Sequence, residues 1–505
     1  MRKIHHRWTW LPIVLLLPLG PIHAQPQRID PAGIPGTLLV CGGDVSEAAF
    51  ERFIDLAHGA KAKVAVVYVN DAEAAEVVLR GLKKSAKQKD AAEPKLVAWK
   101  DAKALVGDLT GIWLITRKGQ LDWQDEIKDR PLRAESLALL KRRGVIATSG
   151  RTSALIGPAG LNLLPVVDHG WSENKKPFYD GVVTIQLTPG ATLEIRGRTL
   201  SAVGEGTTYL SVWSKGTTVR TAKLEGKAQE DLTAWLRTAR DRLEGFPPKT
   251  VEPPVVEKGT LVIVGGGGQP DNLNKTFVDY AGGEGKAVIA IFATAAPDPL
   301  PKREGIAAAF KKAGAKKATV LYGKTQAEVE SKEFLDTLRE ATGLWFDGGR
   351  QWRFVDCYEN TKALPLMFDV LKRGGVIGGT SAGATIQGEY LARGGVFDNF
   401  DIRYEGYERG LGFLKGVAID QHFSQRKRHP DLTKLMKIYP QYLGIGIDEA
   451  TAIVVKGSTA DVIGKGKVHF YDAARKVEKD QPDYDALSAG GRYDLTKRQV
   501  LAGEK

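Results

Sequence analysis

GGVIGGTSAGATIQG, residues 374–388, is the stretch from which the fold can be read. The apolar pair Val376-Ile377 runs through two glycines into Thr380-Ser381-Ala382-Gly383, and then into the helix-like Ala384-Thr385-Ile386. That order is a strand, a tight turn and a helix start, with a serine at the apex. Gly379, Ser381 and Gly383 match the G-x-S-x-G nucleophile-elbow pattern. A serine on a strained turn exposes its Oγ, and small neighbours let the backbone fold tightly beneath it. The N–H groups opening the next helix can then stabilise an oxyanion. A plain glycine-rich turn between strand and helix fits the same residues, so the stretch by itself leaves both readings open.

Working outward, the chain contains an echo of itself. GTLLVCGG at 36–43 answers to GTLVIVGG at 259–266, and VAVVY at 64–68 to VIAIF at 288–292. TGIW at 110–113 answers to TGLW at 342–345, and GVI at 144–146 to GVI at 375–377. The order is kept and the spacing is far too long for a solenoid. These matches predict two copies of one domain, residues 34–245 and 259–505, joined by a proline-rich linker over 246–258 that is extended and stiff. Short apolar strands alternate with amphipathic helical stretches, for instance 304–313 and 326–339. Such alternation predicts parallel sheets with helices on both faces and functional residues at the carboxyl ends of strands.

Composition narrows the class. With 43% hydrophobic and 26% charged residues, the chain reads as an ordinary soluble globular protein. The formal charge of +12 comes from scattered lysines and arginines rather than a basic stripe, so no nucleic-acid footprint is read. Residues 1–25 read as a signal peptide: Arg2, Lys3 and Arg7 open it, an apolar run follows, and Ile22-His23-Ala24 suits cleavage. That run is too short for a membrane anchor, and the expectation is export, to periplasm or medium. The two cysteines, Cys41 and Cys357, read as buried thiols rather than a disulfide framework. The run Gly265-Gly266-Gly267-Gly268 lacks the G-x-G-x-x-G spacing of a dinucleotide site, and Asp271 follows too soon for a ribose contact.

A serine nucleophile needs a base and a group that orients the base. His422 follows the strand-like Val417-Ala418-Ile419 amid polar Asp420, Gln421 and Ser424. The run 444–449, GIGIDE, is another strand, ending in two carboxylates. Either Asp448 or Glu449 could hold His422 in the right tautomer. The first copy lacks this set. Gly150 falls opposite Ser381, between Ser149 and Ser153, and the stretch around His422 has no counterpart nearer than Asp168-His169. The loop 114–120 is one residue longer than 346–351. Glu205 aligns with Glu449 through Gly206-Thr207, but one acid cannot run acyl transfer. The first copy therefore reads as a catalytically dead duplicate.

Four motifs carry a family resemblance. GGTSAGA at 378–384, GG-x-Q at 348–351, DQHFSQR at 420–426 and GIGIDE at 444–449 make the region from 259 onward similar to the cyanophycinases, grouped with the aspartyl dipeptidases among serine peptidases. The resemblance implies two tandem flavodoxin-like, class I glutamine-amidotransferase-like α/β three-layer sandwiches with mostly parallel sheets. It implies a triad of Ser381, His422 and Glu449, favouring Glu449 over Asp448, and an oxyanion hole from the N–H groups of Gly349 and Ala382. Gln351, Asp420, Gln421, Ser424, Arg426 and Arg428 would line the substrate pocket, joined by Arg350. No metal or organic cofactor is implied. Cyanophycinases release β-aspartyl-arginine dipeptides from a polymer with an aspartate backbone.

Two residues depart from the pattern. Arg350 stands where Asp or Asn is common, and a cation there would repel an arginine or recruit a carboxylate. After Arg428 comes His429-Pro430-Asp431, without a further basic residue. The expected partner is thus a peptide or a cyanophycin-like polymer, with other short acidic or isoaspartyl peptides as the alternative. A two-domain binding protein without catalysis is the reading from another class. The first copy could bind substrate, brace the second or supply an interface, a homodimer included.

Overall fold

A computed structural model of the chain describes residues 29–502, apart from 69–70, 99–100, 102–105, 116–130, 150–155, 157–163, 165–180, 215–216 and 303. The signal segment, the loop 116–120, Gly150, Ser153 and Asp168-His169 lie outside the described residues.

Each half is built on a sheet whose middle is parallel. In the first, the strands run in the order Lys95–Ala98, Val64–Tyr68, Gly111–Ile115, Val145–Ser149, Thr37–Cys41, all parallel, then Thr192–Arg196, Thr199–Val203 and Gln229–Asp231 antiparallel. In the second, the order is Lys317–Leu321, Val288–Phe292, Gly343–Phe346, Val376–Thr380, Val256–Val264, then Thr451–Gly457, Thr459–Gly464, Arg492–Asp494 and Gln499–Leu501. The register repeats as well: Thr37 pairs with Val145 and Thr260 with Val376. The fold is thus mixed α/β with mostly parallel sheet centres. Both faces of these strands are buried, so they read as continuous apolar runs rather than alternating ones.

The register corrects one expected correspondence. Gly42 N–H donates to the Ala191 carbonyl at 2.7 Å, and Gly265 N–H donates to the Thr451 carbonyl at 2.9 Å. Cys41 pairs with Thr192 as Val264 pairs with Ala452. Counting back from these pairs, the position of Glu449 is taken in the first half by Pro189. Glu205 lies beyond Thr199–Val203, on the other arm of the hairpin, whose open end pairs Val203 with Thr192. The local match Gly206-Thr207 had pulled the alignment across a whole strand pair.

Other boundaries moved for local reasons. The expected single helix over 326–339 is two, Gln326–Val329 and Lys332–Glu340, because Ser331 caps the second by accepting from Phe334 N–H. The strand Val256–Val264 starts inside the expected linker, pairing Val256 with Gly457. The linker is held as well: Gln441 Nε2 donates to the Pro248 carbonyl at 2.6 Å. Cys41 and Cys357 are buried free thiols. Among the described residues, no helix is long and apolar enough to cross a membrane.

A second, smaller sheet completes each half. In the second half it runs Gly388–Tyr390, Leu414–Gln421, Leu443–Ile447, Lys467–Asp472, Asp485–Ser488. Leu414–Gln421 and Leu443–Ile447 are parallel neighbours, so their carboxyl ends open side by side. Those ends carry His422 and Glu449 to the same edge as the turn after Val376–Thr380.

Candidate active site

Ser381 follows Val376–Thr380 directly and has φ 56° and ψ −113°. A non-glycine residue rarely adopts that backbone, so the turn is strained as an elbow requires. The flanking glycines are sterically necessary. A Cβ on Gly379 would lie 2.4 Å from the Gly383 carbonyl oxygen, and one on Gly383 would lie 2.0 Å from that of Phe346. Ser381 N–H donates to the Val264 carbonyl at 3.0 Å, which ties the elbow to the central strand.

His422 Nε2 stands 3.0 Å from Ser381 Oγ, and His422 Nδ1 stands 2.6 Å from Glu449 Oε1. The histidine itself has φ 50° and is pinned by its N–H to the Gly265 carbonyl at 2.8 Å. Burial is the main force holding its imidazole below the ordinary 6.5, and the Arg426 guanidinium adds to it; the Glu449 hydrogen bond pulls the other way. A neutral imidazole at neutral pH can accept the Ser381 proton, and a carboxylate on Nδ1 fixes the tautomer that leaves Nε2 free to do so.

Asp448 has a different task. Its Oδ1 accepts from Ser424 N–H and its Oδ2 from Lys467 N–H, each at 3.0 Å. Burial alone would raise its carboxyl, but hydrogen bonds from His469, Ser424 and Lys467 outweigh that and hold it well below its usual range. The two acids left open by their adjacency are thus separated: Glu449 meets His422, and Asp448 fastens the loop after it.

The run 265–268, set aside as a nucleotide site, is the floor of this site. A Cβ on Gly266 would lie 2.5 Å from His422 Cε1 and Nε2, and one on Gly267 would lie 2.1 Å from Glu449 Cδ. The sequence showed the glycines but not what they make room for, because that depends on strands far along the chain, at Leu414–Gln421 and Leu443–Ile447. The other glycine loop, 348–349, sits against the serine: a Cβ on Gly348 would lie 3.5 Å from Ser381 Cβ. Gly349 has φ 146°, and its own Cβ would lie 2.1 Å from the Ala295 carbonyl oxygen. Ala382, next to Ser381, opens the short helix Ala382–Thr385 and is fully buried.

The residues expected to line a substrate pocket fall into two groups. Asp420, Gln351 and Arg428 are buried and engaged internally. Asp420 is bound by Arg393 Nε at 3.0 Å and by Arg428 Nη1 at 2.8 Å. Gln351 Nε2 donates to the carbonyls of Ala392 and Arg393 at 2.9 and 2.6 Å. Burial pulls the Arg428 guanidinium down to about 10, against the attraction of Asp420. Gln421 and Arg426 stand near the reacting atoms, whereas Ser424 and Arg350 bond to neighbouring groups. Gln421 Oε1 is 3.5 Å from Ser381 Oγ, Ser424 Oγ is 3.2 Å from His469 Nε2, and Arg426 is exposed beside His422. Arg350 Nη2 donates to the Gly395 carbonyl at 2.7 Å and to that of Asp398. Arg393, which sequence reasoning missed, links Asp420 to Asp431 at 2.6 Å and to the carbonyls of the 399–400 turn. A lone arginine in a loop offered no signal for that.

Comparison with known proteins falls on the same half. The model of peptidase family S51 matches residues 260–463. A cyanophycinase from Geminocystis herdmanii is 30% identical over 265 residues, 49% of this chain and 97% of that protein. A cyanophycinase from Synechococcus elongatus is 31% identical over 262 residues, 48% of this chain and 81% of that protein. Among solved structures, a peptidase from an acI-B1 actinobacterium has a TM-score of 0.39 and 23% identity over 47% of this chain and 97% of that one.

Proposed function

Since the chain belongs to peptidase family S51 and is a serine-type peptidase, we propose that it hydrolyses β-aspartyl peptide linkages through an acyl-enzyme on Ser381. The observation that carries this reading is the unbroken line from Ser381 Oγ through His422 to Glu449, at 3.0 and 2.6 Å, on a strained elbow. His422 takes the Oγ proton as Ser381 attacks the scissile carbonyl. Glu449 stabilises the imidazolium that forms. The tetrahedral oxyanion is received by the N–H groups of Gly349 and Ala382, whose loops meet at Ser381. Collapse expels the amine, which takes its proton from His422. Water, activated by the same imidazole, then releases the acid and restores the serine.

The substrate reading rests on charge. Arg426 acts on His422, Arg393 and Arg428 bind Asp420 two residues before it, and Arg350 is carried on the glycine loop that meets Ser381. Such a wall favours a substrate carboxylate beside the scissile bond, as an aspartyl unit supplies. Cyanophycin cut to β-aspartyl-arginine dipeptides fits the relatives' name. Arg350 in the place of an acid or amide favours a second reading, short acidic or isoaspartyl peptides without the arginine. The first half, with Pro189 at the position of Glu449, is read as a catalytically inert duplicate. Export through residues 1–25 belongs to the same proposal and is checked by N-terminal sequencing of protein recovered outside the cytoplasm.

The deciding experiment compares wild type with Ser381→Ala on cyanophycin, β-aspartyl dipeptides and ordinary α-peptides. The expected result is hydrolysis of β-linked substrates by wild type and none by a folded Ser381→Ala protein. Unchanged turnover in that variant refutes the mechanism. A rate confined to arginine-free acidic peptides replaces the polymer with the second reading.

A further inference from the structure

The first half carries Gly150 and Pro189 in sequence register with Ser381 and Glu449, yet it is bolted to the second half by buried charges. The helix Leu232–Leu243 is buried on two faces: Leu232, Trp235 and Ala239 belong to the core of the first half, and Ala234 to that of the second. Its Arg237, 1% exposed, donates from Nη1 to Asp356 Oδ1 at 2.6 Å and to Tyr407 Oη at 2.7 Å, and from Nε to Glu359 at 3.0 Å. Arg198, in the turn between two first-half strands, donates to Asp356 Oδ2 at 2.6 Å and to Tyr407 Oη, while Asp231 holds its other edge. Tyr407 Oη in turn donates to Asp356 Oδ1 at 2.7 Å. Two arginines of one half thus clamp a single carboxylate and a single phenol of the other.

What they clamp leads to the reacting atoms by two short routes. Asp356 lies on the helix Trp352–Tyr358, which begins immediately after Gly348-Gly349-Arg350-Gln351. Arg198 also covers the Trp352 ring at 5.1 Å, three residues from the Gly349 N–H. Tyr407 lies on the loop 391–413, whose Ala392 and Arg393 carbonyls receive Gln351 and whose Gly395 carbonyl receives Arg350. The same loop sends Arg393 to Asp420, two residues from His422. Its backbone is pressed on the first half so closely that a Cβ on Gly406 would lie 2.0 Å from the Ala234 carbonyl oxygen. Further ties run from Arg242 to Glu408, from Arg220 to the Glu405 carbonyl at 3.1 Å, and from Arg409 to Glu244 at 2.8 Å.

We propose that the first half is a brace for the peptidase site, with Arg198 and Arg237 as positioning residues that set the oxyanion loop through Asp356, Trp352 and Tyr407. The inference rests on the reading of Ser381 given under Proposed function. The physical case is one of tolerance. An oxyanion donor works only when aimed where the charge develops. A displacement of about 1 Å in such machinery lowers turnover about a hundredfold. The loop 348–351 is glycine-rich, and its side-chain ties, from Gln351 and Arg350, run to the loop 391–413 that Arg198 and Arg237 hold through Tyr407. A buried carboxylate with two guanidinium partners in fixed forks gives it a rigid anchor.

The test uses the full chain. Arg198→Gln is expected to lower kcat at least about tenfold while KM changes less than about threefold, and to slow fluorophosphonate labelling of Ser381 in parallel. Arg198→Lys should restore part of the rate. Tyr407→Phe removes only the hydroxyl that joins the clamp, leaves every charge paired, and should fall between the two; it decides the matter if Arg198→Gln does not fold. Arg52→Gln is the control. It breaks a bidentate pair with Glu194, at 2.6 and 2.9 Å, inside the first half, and should lower the melting temperature without changing kcat. Folded Arg198→Gln or Tyr407→Phe protein with kcat within about twofold of wild type overturns the brace and leaves the peptidase reading standing. A wild type without Ser381-dependent hydrolysis overturns both.

Discussion

Gly267→Ala adds one methyl group, and the structure says where it goes. Gly267 has φ 59°, and a Cβ there would lie 2.1 Å from Glu449 Cδ, 2.3 Å from Oε2 and 2.4 Å from Cγ. To stand even 3.0 Å from that methyl, the carboxylate must retreat by about 0.9 Å. The bond it makes to His422 Nδ1 is 2.6 Å long, so such a retreat takes it to the limit of a hydrogen bond. The obstructed group is the end of a flexible side chain, not backbone, so the fold should yield locally and survive. An alanine in the left-handed region adds a stability loss of about 1–2 kcal/mol. The catalytic loss is larger. Removing the orienting acid of a serine triad lowers kcat by about 10⁴, and a displaced but present carboxylate should give about 10² to 10⁴. The assay is kcat on a β-aspartyl peptide beside Glu449→Gln and the double variant, with near-UV circular dichroism and a thermal melt on each. Because both changes strike one hydrogen bond, the double variant should be no slower than the worse single one. A folded Gly267→Ala enzyme with kcat within about threefold of wild type would refute the claim that this glycine run seats the triad.

Three further outcomes follow from the same geometry. With neutral His422 as the base of the proposed mechanism, kcat/KM should rise with pH to a plateau with its midpoint below the ordinary 6.5; Arg426→Ala removes a cation that disfavours the imidazolium, and the midpoint should move up, a downward shift being contrary. Gly349→Ala would press its methyl on the Ala295 carbonyl at 2.1 Å, and backbone cannot swing aside, so the loop must shift and kcat should fall about 10² to 10³ with little change in KM. Burial would raise the Glu359 carboxyl, but Arg237 and Arg240 outweigh it and hold it at about 2, against an ordinary 4.5. A depressed carboxylate contributes stability that is present above 4.5 and lost as pH falls toward 2, here on the order of 3 kcal/mol. Thermal melts of wild type should therefore drop more steeply across that window than those of Glu359→Gln, and parallel slopes would contradict the pairing.

Much of the site was legible in the chain because its parts are local. An elbow needs small residues on either side of its serine, and Gly379 and Gly383 supply them within five positions; the close approaches of Gly383 to Phe346 and of Gly379 to Gly383 give the reason. Apolar runs ending in polar residues marked His422 and Glu449 as strand-end groups, and strand ends are where such sheets present their side chains. Their meeting was only implied, by resemblance to a family. The choice between Asp448 and Glu449 shows the limit. Adjacent residues at a strand end point to opposite sides, and nothing local says which side the histidine is on. The alignment of Glu205 with Glu449 failed for the same reason. Two short words matched, while the hairpin Thr192–Val203, which folds Glu205 back beside the equivalent position without making it that position, had no signature strong enough to outweigh the match.

By itself, then, the sequence determined the strand, turn and helix order, the mostly parallel α/β class, the serine at the apex of that turn, and the half of the chain with the family's motifs. These depend on periodicity, turn residues and spacing, which act over a few residues. The tertiary structure alone decided that Gly266 and Gly267 make room for His422 and Glu449. It also decided that Asp448 is a fastener, and that Arg198 and Arg237 reach Asp356 from more than a hundred residues away. A charged side chain does not encode its partner. Which carboxylate it meets depends on how two packed layers bring distant strands and helices together, and on burial that makes an unpaired charge too costly to leave.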